Sequence, residues 1–389
     1  MKSNPLFRFF GSYGLACALI LVLFVLTFVG TLYQVNHGLY AAKQTFFNSW
    51  FLYLAGFPIF PGGVLAMSLL TANLIIGGLL RIKWRTRNAG VLIIHFGIIF
   101  MLVAGLVKLT NSEEGALQLW PGQQSDRFVS LNRNEVTIWE LGPTQQVPQW
   151  VIDHDFLVDL SGEASRRFTA KDLPFALDLS GYVRNSRALP KGPSWQASGE
   201  VIDGYGLYPL DPDKENEFNV PGLHATVVAE DGSQEKGILW ARQEAPWVVA
   251  VGDRQFAIDF GRETYTMPFS IRLEEFIKED HPGIGMAKAY RSRVMRIQDS
   301  DEKPVLIQMN EPLREGGLVL FQSSYGPEEP GYEGPYFSVF SVVRNPSDKW
   351  PEYSLWVITV GLLLTFGRHL WGFLKQQTKR RAKAAGEQA

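Results

Sequence analysis

Cysteine is almost missing from this chain of 389 residues: Cys17 stands alone, early in the first apolar run. A single thiol excludes an internal disulfide, a CxxC redox pair and covalent haem attachment through CxxCH. Its position ahead of the main apolar run, not after it, excludes a lipoprotein anchor. A GxSxG elbow, a phosphate-binding glycine loop and an HExxH pair are also missing, so the chain carries no catalytic motif of its own. Charge is absent over long stretches, with no Asp, Glu, Lys or Arg in 9–42, 44–80 or 88–107. A helix of about 20 such residues crosses a bilayer.

What is present therefore reads as a membrane region joined to something unlike it. Spanning helices are expected at about 12–33, 63–82 and 89–109, and a fourth at about 351–373, between "NPSDKWPEYS" and "GRHLWGFLKQQTKRRAK". Basic residues gather at three places: Lys2 and Arg8, then Arg81, Lys83, Arg85 and Arg87, then Arg368, Lys375, Lys379, Arg380, Arg381 and Lys383. Short cytoplasmic segments retain such residues, which predicts that both termini are cytoplasmic and that 34–62 and 110–350 lie on the other face. These clusters hold 12 of the 37 basic residues and one of the 39 acids, Glu387, so the rest of the chain carries a net charge of −13. That acidity argues against nucleic acid as a partner. The first apolar run is longer than an export-signal core and has no small-residue cleavage site after it, so it is expected to stay as an anchor. Tyr40, Phe46, Phe47, Trp50, Phe51 and Tyr53 crowd a stretch with one charge. It predicts an interfacial helix over 38–54, flat on membrane lipid, before Pro58 and Pro61 turn the chain into the second span. The basic tail reads as a surface anchor.

Residues 110–350 are different in kind. "NEVTIWEL", "FALDLSGYVR", "HATVVAE", "FSIRLEEF", "SRVMRIQ", "VLIQMN", "LVLFQSSY" and "YFSVFSVV" alternate with period two between Gly, Pro, Asp and Asn, the signature of strands. The expected fold class is membrane α plus all-β: a region 1–109 with three helices, a large extracytoplasmic antiparallel β-sandwich or barrel-like domain over 110–350, and a fourth helix with a basic tail over 351–389. A faint repeat runs through the domain. "LPFALDLSGYV" at 173–183 parallels "MPFSIRLEEFI" at 267–277, and "TVVAEDGSQEKGILWARQEAP" at 226–246 parallels "RVMRIQDSDEKPVLIQMNEP" at 293–312. The spacing predicts two related β units, the first with extra residues in 187–222.

With no cysteine cluster, the six histidines are the candidate chemistry. His154, His224 and His281 sit in polar or turn-like surroundings and read as surface or loop residues. His37, at one membrane edge, and His369, at the other, can each approach a membrane-bound ligand. His95 differs, because it lies inside an uncharged span, roughly 8 to 12 Å past the basic loop 81–87. Ionisable residues at that depth face a bundle interior or a ligand. In hydrocarbon desolvation disfavours a charged imidazole, and the neutral ring is the form that ligates metals. One histidine cannot close a zinc site. Two readings stay open: a hydrogen bond to a neighbouring helix, through Asn73 or a backbone carbonyl, or axial ligation of haem, whose porphyrin brings the other four donors.

Taken in order, "GTLYQ" followed by "GLYAAKQTFFNSW", the helix "IIHFGIIFMLVAG", "MPFSIRLEEF", "HPG", "MNEPLREGGLVLFQSSYGP" and "VVRNPSDKWPEYSLW", together with the four-span layout, resemble the ResB family. That family, also called CcsB, belongs to the System II cytochrome c biogenesis machinery, and the likeness covers nearly the whole chain. The resemblance implies a bacterial cytoplasmic-membrane protein that works with a ResC or CcsA multi-span partner. The pair carries haem across the membrane and presents it to the CxxCH thiols of apocytochrome c. His95 corresponds to the family's membrane histidine on the third span, which ligates haem, bound without a covalent link and in transit, together with a histidine of the partner. The partner's tryptophan-rich signature is absent here, which implies a non-autonomous subunit of the synthase complex. On entry, Arg81, Lys83, Arg85 or Arg87 can steer haem carboxylates. The rival expectation is an assembly factor that binds no haem, whose outer β domain scaffolds the complex or binds apocytochrome.

Overall fold

A computed structural model describes residues 4–142, 150–192, 200–283, 287–327, 329, 332 and 334–386, with side chains up to 380. The tail residues Arg381, Lys383 and Glu387 of the charge count lie outside the described side chains. The chain divides into two compact units, Met1–Ser112 with Asn345–Ala389, and Glu113–Arg344.

The first unit holds α1 (Pro5–Phe10), α2 (Tyr13–Ala42), α3 (Gly63–Asn73), α4 (Ala89–Asn111) and α5 (Trp350–Gly386). Among the described residues four stretches are long and apolar enough to cross a membrane: Tyr13–Phe47, Gly63–Leu80, Thr86–Asn111 and Trp350–Arg380. Leu21, Phe24, Phe28, Phe366 and Trp371 on their outer faces are exposed, a pattern that hydrocarbon tolerates and water does not. Ser12 caps α2 by accepting from the Leu15 N–H at 3.2 Å. Gly38, at φ 81° and ψ 163°, kinks α2, so two helical segments meet there and the first ends a few residues past the expected 33.

A helical segment does begin at 38, after the Gly38 kink, but the structure corrects its expected end at 54. A π-helical turn, Lys43–Phe47, ends the helical stretch, and β1 (Phe51–Leu54) pairs antiparallel with β2 (Phe57–Pro61). Ala55 and Gly56 at the tip have φ of 50° and 82°, the pair of positive values that matches the twist of a tight hairpin. Pro58 and Pro61 deny the stretch helical hydrogen bonds. Aromatic crowding carried the helical expectation past 47, and there local turn chemistry overrides it.

α4 and α5 meet along a seam of small residues spaced by seven. Gly90, Gly97 and Ala104 on α4 are buried. Facing them, Ser347 donates to the Ala104 carbonyl at 2.8 Å, Ser354 donates to that of Gly97 at 2.6 Å, and Arg368 reaches the Thr86 carbonyl at 2.7 Å. A Cβ on Gly90 would lie 2.7 Å from the Gly361 carbonyl oxygen and 3.0 Å from the Thr365 nitrogen, backbone atoms that cannot turn aside. Close packing and hydrogen bonds, not hydrophobicity, hold apolar helices together in lipid. Gly90→Val is therefore expected to part the helices at this point and cost about 1–3 kcal/mol or more. Thermal unfolding in detergent micelles measures it, and an unchanged midpoint would disprove the seam. Gly105, next to Ala104 on the same helix, faces open space instead.

The second unit is antiparallel β throughout its described pairings. In chain order it contains β3 (Glu113–Leu119), β4 (Gln124–Glu140), β5 (Trp150–Ile152), β6 (Ser165–Phe168), β7 (Phe175–Val183), β8 (Ser186–Pro190), β9 (Tyr205–Pro209), β10 (Gly222–Ala229) and β11 (Gln234–Trp240). These are followed by β12 (Trp247–Val251), β13 (Arg254–Asp280), β14 (Ala287–Gln298), β15 (Asp301–Gln308), β16 (Leu313–Glu315), β17 (Leu318–Gly326) and β18 (Phe337–Arg344). A four-stranded sheet runs β11-β10-β7-β6, and the larger sheet runs β15-β14-β13-β4-β3-β18-β17-β16 with β5 and β12 at its side.

Two hydrophobic cores result. The first gathers Val136 and Ile138 of β4, Phe256, Ile258 and Phe260 of β13, and residues such as Leu177, Leu179, Leu223 and Leu239. The second gathers Phe128 of β4, Phe269, Ile271 and Leu273 of β13, and Val294, Ile307, Leu320 and Phe340. β4 and β13 thus serve both. Register shifts at Arg262/Thr264 and Thr266/Ile271 are the irregularities that let one strand change direction between cores.

The strand order matches the sequence repeat. β7 pairs β10, which pairs β11; the far half of β13 pairs β14, which pairs β15. Phe175, Leu177 and Leu179 are buried like their counterparts Phe269, Ile271 and Leu273. The register differs: Val227 faces Leu177, while Val294 faces Leu273, not Ile271. The β8-β9 hairpin occupies the extra residues of 187–222.

Candidate functional site

The second apolar stretch changes its winding partway. α3 is regular to Asn73, and Leu74–Leu80 then forms a π-helical turn, a wider coil that recurs at functional positions. Two adjacent glycines in it face different neighbours. A Cβ on Gly77 would lie 3.0 Å from the Gly11 carbonyl oxygen, and one on Gly78 would lie 2.7 Å from Nδ1 of His95. The N-terminal end is pinned to the same region. Asn73 donates to the carbonyls of Phe10 and Ser12 at 2.6 and 3.0 Å, and Arg81 donates to that of Gly11 at 2.5 Å.

His95 lies on α4, about 9 Å along the helix from Ala89, and its ring is half-buried. Nδ1 is 2.9 Å from the carbonyl oxygen of Gly78. A carbonyl only accepts, so this contact is a hydrogen bond in the tautomer with the proton on Nδ1, which in the neutral ring leaves Nε2 its lone pair. Of the two hydrogen-bond partners open to His95 from sequence, the backbone carbonyl is the one used, and Asn73 is committed to the α1–α2 break. Arg81 is likewise tied down, whereas Lys83, Arg85 and Arg87 are exposed.

His37 lies near the C-terminal end of α2, roughly 37 Å of helical rise from Ser12, so the structure does not bring it to His95. Its ring stacks on Tyr33 at 3.9 Å, and Nδ1 lies 3.1 Å from the Tyr33 carbonyl oxygen, so here too Nε2 is the nitrogen outside that contact. His369 is exposed on α5. Among the described residues no group of three or more His, Cys, Asp or Glu is placed to hold a metal ion. The donor set thus fits a group that needs one imidazole and brings its own remaining ligands, as haem does.

Two histidines of the β unit, His154 and His224, are structural, and the expectations about both are corrected. His154 is buried at 9% exposure, not at the surface, and its Nδ1 accepts from the Asn134 backbone N–H at 3.1 Å. Arg133 beside it bonds Glu263 at 2.6 Å and Asp155 at 3.1 Å. His224 lies in β10 rather than a loop; His281 is exposed just before a turn. Burial pushes the pKa of His154 down, helped by Arg133, and burial does the same to His224.

Both stay neutral in the fold at pH values where the unfolded chain, titrating near about 6.5, takes up protons. The unfolded state then binds more protons, so stability falls as pH drops through that value. Glu135, raised by burial, acts in the opposite sense at the acid end. Urea unfolding of the full chain is expected to show lower stability at about pH 5.5 than at about pH 7.5. His154→Asn, which keeps an acceptor but cannot titrate, is expected to flatten the slope; an unchanged slope would remove His154 from the account.

Two of the motifs that carry the resemblance take part in packing. In "NEPLREGG", Leu313 enters the second core, Glu315 accepts from the buried Arg296 at 3.0 Å, and Gly316 and Gly317 turn the chain at φ 58° and 76°. In "QSSY", Gln322 closes a buried network by accepting from Ser292 at 2.6 Å and donating to Ser338 at 2.9 Å. The Gly78 carbonyl was missed by sequence reasoning, although the glycine pair inside an apolar span was a legible sign of close approach on two sides.

Among known proteins, the chain is similar over 143 residues to Protein NrfI of Wolinella succinogenes, with 27% identity; the shared stretch is 36% of this chain and 14% of that protein. The profile of the ResB-like family matches residues 82–334, a range that takes in His95, α4 and nearly all of the β unit. With the four apolar helices among its described residues and that match, the chain is a membrane protein and belongs to the ResB-like family.

Proposed function

We propose that this protein takes part in cytochrome c biogenesis as a haem-handling subunit, with His95 as an axial ligand. It acts with a ResC/CcsA-type partner that supplies the second ligand, in a bacterial cytoplasmic membrane, and passes haem toward apocytochrome c. The observation that carries the reading is the Nδ1–Gly78 bond at 2.9 Å, which leaves Nε2 as a free donor inside an apolar span. Bound haem supplies four equatorial donors and an iron that seeks nitrogen. The chain does the rest: His95 offers the lone pair, Gly78 orients the ring, and the apolar faces of α3 and α4 exclude competing water.

The three basic clusters support a topology with both termini cytoplasmic and the β unit on the other face. Lys83, Arg85 and Arg87, exposed in the loop before α4, then stand where haem propionates enter. His37, exposed toward the opposite end of α2 and with Nδ1 likewise against a backbone carbonyl, is assigned a secondary contact on the exit side. The test is haem content of the co-expressed complex, read at the Soret band for His95 variants. A scaffold that binds no haem remains the competing function, and it predicts no change in that band.

A further inference from the structure

Gly78 is held at an unusual place. It lies in the last turn of its helix, where carbonyls have no intrahelical partner. Its neighbours find theirs locally: the Ile76 carbonyl accepts from the Arg81 N–H at 3.0 Å, and that of Leu79 accepts from the Trp84 indole N–H at 3.0 Å. The Gly78 carbonyl is left for the imidazole. Only glycine permits the approach, since a Cβ there would meet Nδ1 at 2.7 Å and Cγ at 3.0 Å. The negative pole of the helix also ends at this carbonyl, which favours an N–H donor against it.

From these contacts we infer that the π turn Leu74–Leu80 is a positioning device for His95. The Gly78 carbonyl fixes the Nδ1–H tautomer, so that Nε2 is presented as the ligand, and it raises the electron donation of that nitrogen. Gly78 is a positioning residue; it does not touch the iron. The inference rests on the haem reading for its purpose, but the tautomer is a property of the haem-free chain. A bond of this kind to a ligating histidine is worth about 10- to 100-fold in affinity.

Gly77 supplies a matched control. An added methyl at 77 strains the same turn against Gly11, 3.0 Å away, without touching the ring. The experiment uses the full chain with 15N-labelled histidine in lipid nanodiscs, without haem, and follows the imidazole nitrogen shifts of His95 in wild type, Gly78→Ala and Gly77→Ala. The expected result is the Nδ1–H form in wild type and Gly77→Ala and a mixture of tautomers in Gly78→Ala. In the complex with its partner, Gly78→Ala is expected to retain haem about 10- to 100-fold less well and to raise the midpoint potential, while Gly77→Ala keeps the wild-type potential whatever its yield. An Nε2–H ring in wild type overturns the inference with no substitution needed, as do identical shifts and potentials in the two alanine variants. Full haem retention by His95→Ala would instead defeat the haem assignment and leave the tautomer result standing.

Discussion

Replacing His95 by alanine is expected to remove the haem that co-purifies at the α4 site, a loss approaching the whole of that Soret signal. The argument separates ligand from fold. Alanine offers no donor to iron, so the coordinate bond is gone. The protein loses only one hydrogen bond, from Nδ1 to Gly78 at 2.9 Å, and the freed carbonyl costs about 1–3 kcal/mol if no other donor reaches it. The α4–α5 seam does not involve residue 95, because Gly90, Gly97 and Ala104 lie on another face. The variant should accordingly accumulate in the membrane with little haem. Added imidazole, filling the space left by the ring, is expected to restore the spectrum in part. Iron coordination identical to wild type in the alanine protein would turn the function toward the scaffold alternative.

Phe256→Ala should unsettle both cores of the β unit at once. Phe256 is fully buried and packs edge-on against Phe175 at 5.2 Å between ring centres. Truncating such a ring costs about 3–5 kcal/mol. It stands in the first core, but β13 continues from Arg254 to Asp280 and carries Phe269, Ile271 and Leu273 into the second. Because β4 crosses alongside it, the cores are expected to unfold as one cooperative unit. Hydrogen exchange of the full chain checks this: amides of Leu273 and Ile307 should lose protection together with those of Ile258 and Leu239. Loss confined to Ile258 and Leu239 would show two independent folding units.

How far these features could be read in advance depended on the range of the interaction. The apolar helices and the alternating strands are set by periodicity, and they appear where the residues 63–82, 89–109 and 175–183 point. The hairpin at 51–61 was hidden, because Trp50, Phe51 and Tyr53 suit an interfacial helix as well as a strand, and the decision lies with Ala55 and Gly56 at the tip. The length of β13 was hidden too, since "MPFSIRLEEF" looks like a separate strand when Pro268 is taken as a break. Burial of His154 depends on Asn134, twenty positions away, and no local pattern reports it. At the candidate site the imidazole was visible and its partner was not. A backbone carbonyl has no sequence identity, and only the glycine that bares it can be seen.

The seam between α4 and α5 also bears on the order of events during synthesis. Ser347 and Ser354 bond to carbonyls of Ala104 and Gly97, yet all of Glu113–Arg344 is translated between them. A nascent chain that has released its first three apolar helices therefore exposes Gly90 and Gly97 to lipid, or to the insertion machinery, until the last stretch emerges. The membrane unit is finished only after the β unit has left the ribosome, so ribosome-bound chains stopped before 347 should cross-link at position 97 to lipid or to chaperoning proteins, and longer ones to α5.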